Sequence, residues 1–470
     1  MSNLFNISQS EMRIRLGKLL EKTNLILSLE LEINELLEKS TKLLKEYIAV
    51  QHYHIFILAK KPENIESNEM LYLAGKFNNI FLIRLSKKID ISKIPSKYEI
   101  LYKEISRAIQ GKVDIYEELQ INKKSLKSSI DKYIKVETLN ANLLNCNDIL
   151  ELFLKNESLA EKSLYNIISI IDPLKDILDK YFKEYIGKEK IYIEDLIEEL
   201  DIIQKKYNLS KKETFNIIEF VLGKTIGKMQ KTSLIEYIHQ NKIIVTGNDS
   251  ALNNNCIATI EDGQYIFLGS ISTLPEIILL AHELGHATEL KYIGDDMKRI
   301  FIEYLAYSEI SSNLYQLIMY KELRIIKEVK FLFAITCMQM LLEFIIIIKI
   351  NLELIKNIST DEKIKNIKFW VDKYSYPSKD NNNERFINYI DFNGLSEIKY
   401  SIGLIVGLNI LEKTDNNMLE EAQIINYFKA KDNLSPEERL EKYLDIDITS
   451  QEVITIALNN IKTILFKTLS

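Results

Sequence analysis

The sequence predicts a mainly helical protein, with a short strand region leading into one histidine-bearing helix and a small α/β module ahead of the helical body. Three observations carry this. From about residue 119 onward, apolar residues recur at helical spacing almost without interruption. Before residue 118, β-like runs alternate with polar loops. Between residues 264 and 269 a lone extended segment is followed closely by a helix that holds two of the chain's five histidines.

The N-terminal part, residues 1–118, begins with an amphipathic helix over residues 30–48, its apolar stripe formed by Ile33, Leu36, Leu37, Leu44 and Ile48. Strand-like runs follow at Tyr53–Ala59, Met70–Gly75 and Ile80–Leu85, separated by loops that contain Pro62 and Asn78-Asn79. A helix followed by an antiparallel meander makes a small α/β accessory module, and it faintly resembles GAF-type ligand-binding domains. A small-molecule ligand is therefore one expectation for this module. His52 and His54 lie two apart on one strand with no further ligand nearby, so they are not read as a metal site.

Residues 119–470 form the helical body. Residues 120–245 are helical in pattern, broken by Pro173 and a few glycines. The stretch Val245–Cys256 reads as a loop, and Gln264–Gly269 as a short strand. Thr273-Leu274-Pro275-Glu276 is a capping box with proline in the first turn, a strong helix start. Phe331–Ile348 is apolar over the length of a membrane span, but Gln339 and Glu343 interrupt it, so it reads as a buried helix. A loop with Pro377 spans Tyr374–Glu384, and Ser435-Pro436-Glu437-Glu438 is a second capping box.

Composition narrows the function classes. A hydrophobic share of 46% and a charged share of 27% are those of a globular protein with a substantial core. A net charge of −6 argues against nucleic acid or an anionic membrane as partner. Three distant cysteines, Cys146, Cys256 and Cys337, fit neither a disulfide framework nor a cysteine metal site, and they point to a reducing compartment. Met1–Leu20 lacks the apolar core of a secretion signal, and a cytoplasmic protein is expected.

The chemistry concentrates at His282-Glu283-Leu284-Gly285-His286. Residues four apart share a helix face, so both imidazoles can converge on one metal ion, and Glu283 stands beside them where it can reach a metal-bound water. The apolar run Ile277–Ala281 carries the motif into the interior. Gly285 costs about 1 kcal/mol relative to alanine inside a helix, which a closely apposed neighbour would explain. A catalytic zinc takes three protein ligands and leaves a position for water. No histidine follows His286, so the third ligand is sought among carboxylates of the next helix, expected from Asp295 or Asp296 to about Leu323. Glu303 and Glu309 both qualify by position.

His-Glu-Leu-Gly-His followed by Glu309-Ile310-Ser311-Ser312 resembles the thimet oligopeptidase and oligoendopeptidase F metallopeptidases, whose third zinc ligand opens a Glu-x-x-Ser segment. The resemblance implies His282, His286 and Glu309 as ligands of one zinc ion, Glu283 as general base, and a large helical gluzincin fold. It covers residues 260–410 directly and about 120–470 in general character. That family also carries a later His and Tyr, seven apart, that stabilise the transition state. The best match here puts Tyr389 in the place of the His and Ser396 in that of the Tyr, with Tyr400 as a neighbouring aromatic. The oxyanion donor is thus sought among Tyr389, Tyr400 and Tyr376.

The reading that follows is a zinc-dependent endopeptidase of short or unstructured peptides. Glu283 takes a proton from the zinc-activated water and returns it to the leaving amine. The alternative is a catalytically weak peptide-binding or sensor protein that keeps the zinc site as scaffold, motivated by the altered His and Tyr positions. A third reading, a purely structural helical protein, predicts no bound metal.

Overall fold

The computed structural model describes residues 126–143, 146–225, 242–245, 256–260, 263–293, 306–379, 385–390, 394–430 and 434–467, with Asp432 and scattered positions at 18–43 and 236–240. It divides into two compact units. One comprises Met1–Glu118, Asn140–Cys146 and Tyr237–Ser270; the other comprises Leu119–Leu139, Asn147–Glu236 and Ile271–Ser470. The three strand runs expected before residue 90, the GAF-like character of residues 1–118, and His52 and His54 lie outside the described residues. Described positions between Glu35 and Leu43 are helical, with Leu36 and Leu43 buried.

The first unit contains a three-stranded sheet of β1 (Ile243–Val245), β2 (Cys256–Ile260) and β3 (Gly263–Leu268), in the order β1-β3-β2. β1 runs parallel to β3, and β2 runs antiparallel to it with Ile257 opposite Ile266. β3 matches the expected strand to within one residue. The expected loop from Val245 to Cys256 starts and ends in strands instead. Runs this short offer too few residues to show a period of two.

The described helices are α1 (Leu126–Leu143), α2 (Ile149–Glu157), α3 (Glu161–Ile168), α4 (Ile171–Ile186), α5 (Ile193–Lys206) and α6 (Lys211–Thr225). After the sheet come α7 (Leu274–Ile293), α8 (Ile310–Glu322), α9 (Lys327–Cys337) and α10 (Phe344–Ile355). The last five are α11 (Thr360–Tyr374), α12 (Ile398–Asp415), α13 (Glu421–Lys429), α14 (Pro436–Leu444) and α15 (Gln451–Phe466). A π-helical segment, Met338–Glu343, joins α9 to α10. The resulting Lys327–Ile355 helix is long and apolar enough to cross a membrane, yet 72% of its apolar window is buried within the protein. It is a core helix, as the polar interruptions suggested.

The centre of the second unit is the packing of α7 on α8 and of α8 on α12. Every residue of α8 from Ile310 to Tyr320 is buried, as is every residue of α12 from Ser401 to Leu411. Helices enclosed on all sides can approach closely only where side chains are small. A Cβ at Gly285 on α7 would lie 2.6 Å from the Ser312 Cα, and one at Gly403 on α12 would lie 2.5 Å from the Glu309 carbonyl oxygen. The neighbour that the Gly285 position called for is therefore the α8 backbone.

Alanine at an ordinary helical glycine gains about 1 kcal/mol. Here the added methyl meets main chain, and overpacking costs about 1–3 kcal/mol. Gly285→Ala and Gly403→Ala should each lower the thermal unfolding midpoint measured by circular dichroism. A raised midpoint in both would contradict this close backbone contact.

Candidate metal centre

Helix α7 starts where the capping box predicts, with one half of the box formed. The Glu276 carboxylate accepts from the backbone N–H groups of Ser272 (2.7 Å) and Thr273 (2.8 Å), while the Thr273 hydroxyl is buried without a hydrogen bond. Two turns on, His282 and His286 stand side by side, their ring centroids 5.0 Å apart and nearly perpendicular. His282 and Glu283 are buried, and His286 is partly exposed.

Glu309 differs from its expected setting. It is the N-cap residue of α8, with φ −100° and ψ 8°, rather than an interior residue of a helix beginning near Asp295. Residues 306–309 form a turn; Glu303, Asp295 and Asp296 lie outside the described residues. The break explains how the carboxylate reaches α7, because a capping residue is free of helical φ/ψ. Its backbone carbonyl is held by Asn313, whose side-chain amide donates at 2.7 Å and whose backbone N–H donates at 3.0 Å. The Ser312 hydroxyl lies 3.0 Å from both this carbonyl and Glu309 Oε2.

The three groups meet. Glu309 Oε2 lies 3.3 Å from His282 Nε2 and 3.2 Å from His286 Nε2, and all three candidate ligand atoms fall within 4.8 Å of one another. Tetrahedral ligands at about 2.0–2.1 Å from zinc are separated by roughly 3.3 Å. The spacing therefore fits a tetrahedral ion, and two imidazoles with one carboxylate are a donor set that zinc accepts.

Charge reinforces the arrangement. Burial works against the protonated form of His286, but the Glu309 carboxylate outweighs it, with Glu283 and Glu289 adding to the effect, and the imidazole is pushed up to about 9. Burial likewise opposes ionisation of Glu309, yet the two imidazoles hold its carboxyl well below the usual range. The carboxylate is thus ionised at neutral pH, as a metal ligand must be.

Sequence reasoning did not identify the groups behind the triad. Gln316, two turns further along the same face of α8, places its Oε1 3.2 Å from His282 Nδ1. The Gln316 amide nitrogen donates to the Tyr320 hydroxyl at 3.3 Å, which bonds the Thr336 hydroxyl at 2.6 Å. With its amide nitrogen committed to Tyr320, Gln316 offers an acceptor to His282, so Nδ1 carries the proton and Nε2 is left to bind a cation. A spacing of seven from Glu309 was the available signal. Glu289 bonds the Ser311 hydroxyl, a second link between α7 and α8.

The tyrosines separate. Burial raises the Tyr400 phenol, and the charges of Glu309, Glu397 and Glu283 raise it further, so Tyr400 lies in the electrostatic reach of the site and stays protonated. Its ring packs at 5.2 Å, tilted by 31°, against Phe344, the first residue after the π-helical segment. Tyr389 ends a 3-10 turn, Arg385–Tyr389, that packs against α10 and α11, and it makes no hydrogen bond to the triad among the described residues. Tyr376 packs at 5.5 Å against Phe182, with the Lys175 ammonium 4.5 Å from its ring.

No protein-family profile matches this chain, and no curated protein matches it in sequence. Solved structures do share its fold. A candidate peptidase from Chlamydophila abortus has a TM-score of 0.69 at 14% identity, covering 98% of this chain and 96% of its own. Oligoendopeptidase-F from Enterococcus faecium has a TM-score of 0.59 at 13% identity, covering 97% of each chain. A protein from Bacillus anthracis described as an oligoendopeptidase F has a TM-score of 0.56 at 15% identity, over 97% and 96%. The chain therefore has the helical fold of oligoendopeptidase F, as the motif resemblance implied.

With only five histidines in the chain, ring-labelled NMR can follow each one. In metal-free protein His286 should titrate at about 9. In Glu309→Gln its titration should move clearly downward, since burial then acts with its main opponent removed and only Glu283 and Glu289 oppose it. An unchanged titration in that variant would contradict the pairing.

Proposed function

We propose that the chain is a zinc-dependent endopeptidase acting on short or unstructured peptides. The observation that carries the reading is the meeting of His282, His286 and Glu309 at ligand spacing beside Glu283, within a fold that oligoendopeptidase F shares. Residues 119–470 carry the activity in this reading, and residues 1–118 are an accessory module. Its substrates are peptides in the cytoplasm, with no role for nucleic acid or membrane.

Zinc held by the two imidazoles and the Glu309 carboxylate would polarise the scissile carbonyl and lower the pKa of a bound water toward about 7. The chain's own groups do the rest. Glu283, buried and close enough to act on His286, takes a proton from the attacking water and passes it to the leaving amine. Gln316 holds His282 in the Nδ1–H tautomer. Tyr400, kept protonated, donates its hydroxyl to the carbonyl oxygen as that atom gains charge. Tyr389 is the second candidate for this donation, by its place in the sequence alone.

Glu283→Gln should lower kcat against a fluorogenic peptide by about 10²–10⁴ and leave the metal content unchanged. In the same assay Tyr400→Phe should lower kcat by about 10², and Tyr389→Phe should have little effect. Full activity of Glu283→Gln would sink the mechanism; the reverse order of the two tyrosine variants would reassign the donor.

A further inference from the structure

A cavity of about 360 Å³ opens between α2, α3, α10 and α11 and contains none of the groups discussed above. Ile149, Ile168 and Leu352 supply apolar wall, and Trp370 lines the cavity beside them. The volume lies at the lower end of small-molecule sites, which run from about 300 to 1,000 Å³. Trp370 is held in place by stacking on Tyr374 at 5.9 Å, with the planes 10° apart.

The charged groups around this cavity are unequally satisfied. Glu353 is buried and engaged by the Lys356 ammonium, by the Asn366 amide at 3.1 Å and by the Trp370 indole N–H at 3.4 Å. Asp148 accepts from the backbone N–H of Glu151 at 2.8 Å as the N-cap of α2. Nearby Asp172 is bonded by Lys373 at 3.0 Å and by the Tyr374 hydroxyl at 2.9 Å. Lys349 is different. Its ammonium lies 4.0 Å from the Trp370 ring centroid and makes no ion pair or hydrogen bond among the described residues. Burial depresses its affinity for a proton, with Asp172 acting in the opposite sense. Among the described residues this half-buried ammonium has only the Trp370 ring against it, so it can take an anion at the edge of the cavity without breaking an ion pair.

We propose that this cavity is a binding site for a small molecule carrying a single carboxylate on an apolar body. The carboxylate pairs with Lys349 beside Trp370, and the body lies against Ile149, Ile168 and Leu352. A singly charged group fits better than a phosphate. Among the described residues Lys349 is the one lining cation without an ion pair, no arginine lines the cavity to bind an anion bidentately, and the carboxylates of Asp148 and Glu353 repel a second negative charge. The site is independent of the peptidase reading.

Trp370 is the only tryptophan in the chain, so its emission reports on this cavity directly. The full-length protein is titrated with 4-phenylbutyrate and, separately, with uncharged 4-phenyl-1-butanol, exciting tryptophan. The acid should change the emission saturably, with a Kd of about 1 mM or tighter, and the alcohol should bind at least about tenfold more weakly. Lys349→Met should lose at least about tenfold in affinity for the acid while Lys349→Arg retains it, with peptide hydrolysis unchanged in both. N-acetyl-leucyl-leucine, run alongside, separates a free small acid from a peptide C-terminus, and either satisfies the proposal. Equal binding of acid and alcohol, wild-type affinity in a folded Lys349→Met variant, or no saturable change up to about 10 mM acid would overturn it. Should Lys349→Met fail to fold, the comparison of acid with alcohol on the wild-type chain still decides.

Discussion

The contact of bare backbone between three buried helices is the constraint on which the rest of this structure depends. Gly285 of α7 rests on the main chain of Ser311 and Ser312, and Gly403 of α12 rests on the main chain of Glu309. Both contacts bracket the first turn of α8, the turn that carries the third member of the histidine–carboxylate triad. Larger side chains at either glycine would push α8 away, and a displacement of about 1 Å is enough to spoil a metal or catalytic constellation. Close packing fixes geometry here more than it adds stability.

From that contact the chemistry follows in order. Because Glu309 caps α8 and is not an interior residue of it, the carboxylate can leave the helix and face both imidazoles. Because α8 is buried from Ile310 to Tyr320, Gln316, Tyr320 and Thr336 form a bonded chain shielded from bulk water, and they set the orientation of the His282 ring. Because His282, Glu283 and Glu309 are buried and His286 is only partly exposed, each charge acts strongly on the next. The elevated His286 and the depressed Glu309 are two sides of one interaction, which binding of a cation would replace.

Much of this was legible in the residues themselves. The spacing of His282 and His286 needs only the helical repeat. The helix start at Thr273–Glu276 follows from capping chemistry, as does the later start at Ser435, where both halves of the box form. Choosing Glu309 over Glu303 needed the resemblance to a known family, since helical position served both. What stayed hidden was non-local. β1 and β2 are too short to show periodicity, and β1 pairs with β3 about twenty residues further along the chain. The role of Gln316 depends on where α8 lies against α7, which no pattern within α8 reveals. The distinction between Tyr400 and Tyr389 turns on which side of a helix start each falls: Tyr400 lies in the first turn of α12, Tyr389 in a separate 3-10 turn.

If His282, His286 and Glu309 together hold one metal ion, the metal content of the purified chain must depend on each of them. Protein purified without chelator is measured by plasma mass spectrometry beside Glu309→Ala and His286→Ala. The wild type should carry about one zinc per chain, and both variants should be substoichiometric in metal while remaining folded. No metal in the wild type, or one zinc per chain retained in both variants, would contradict it.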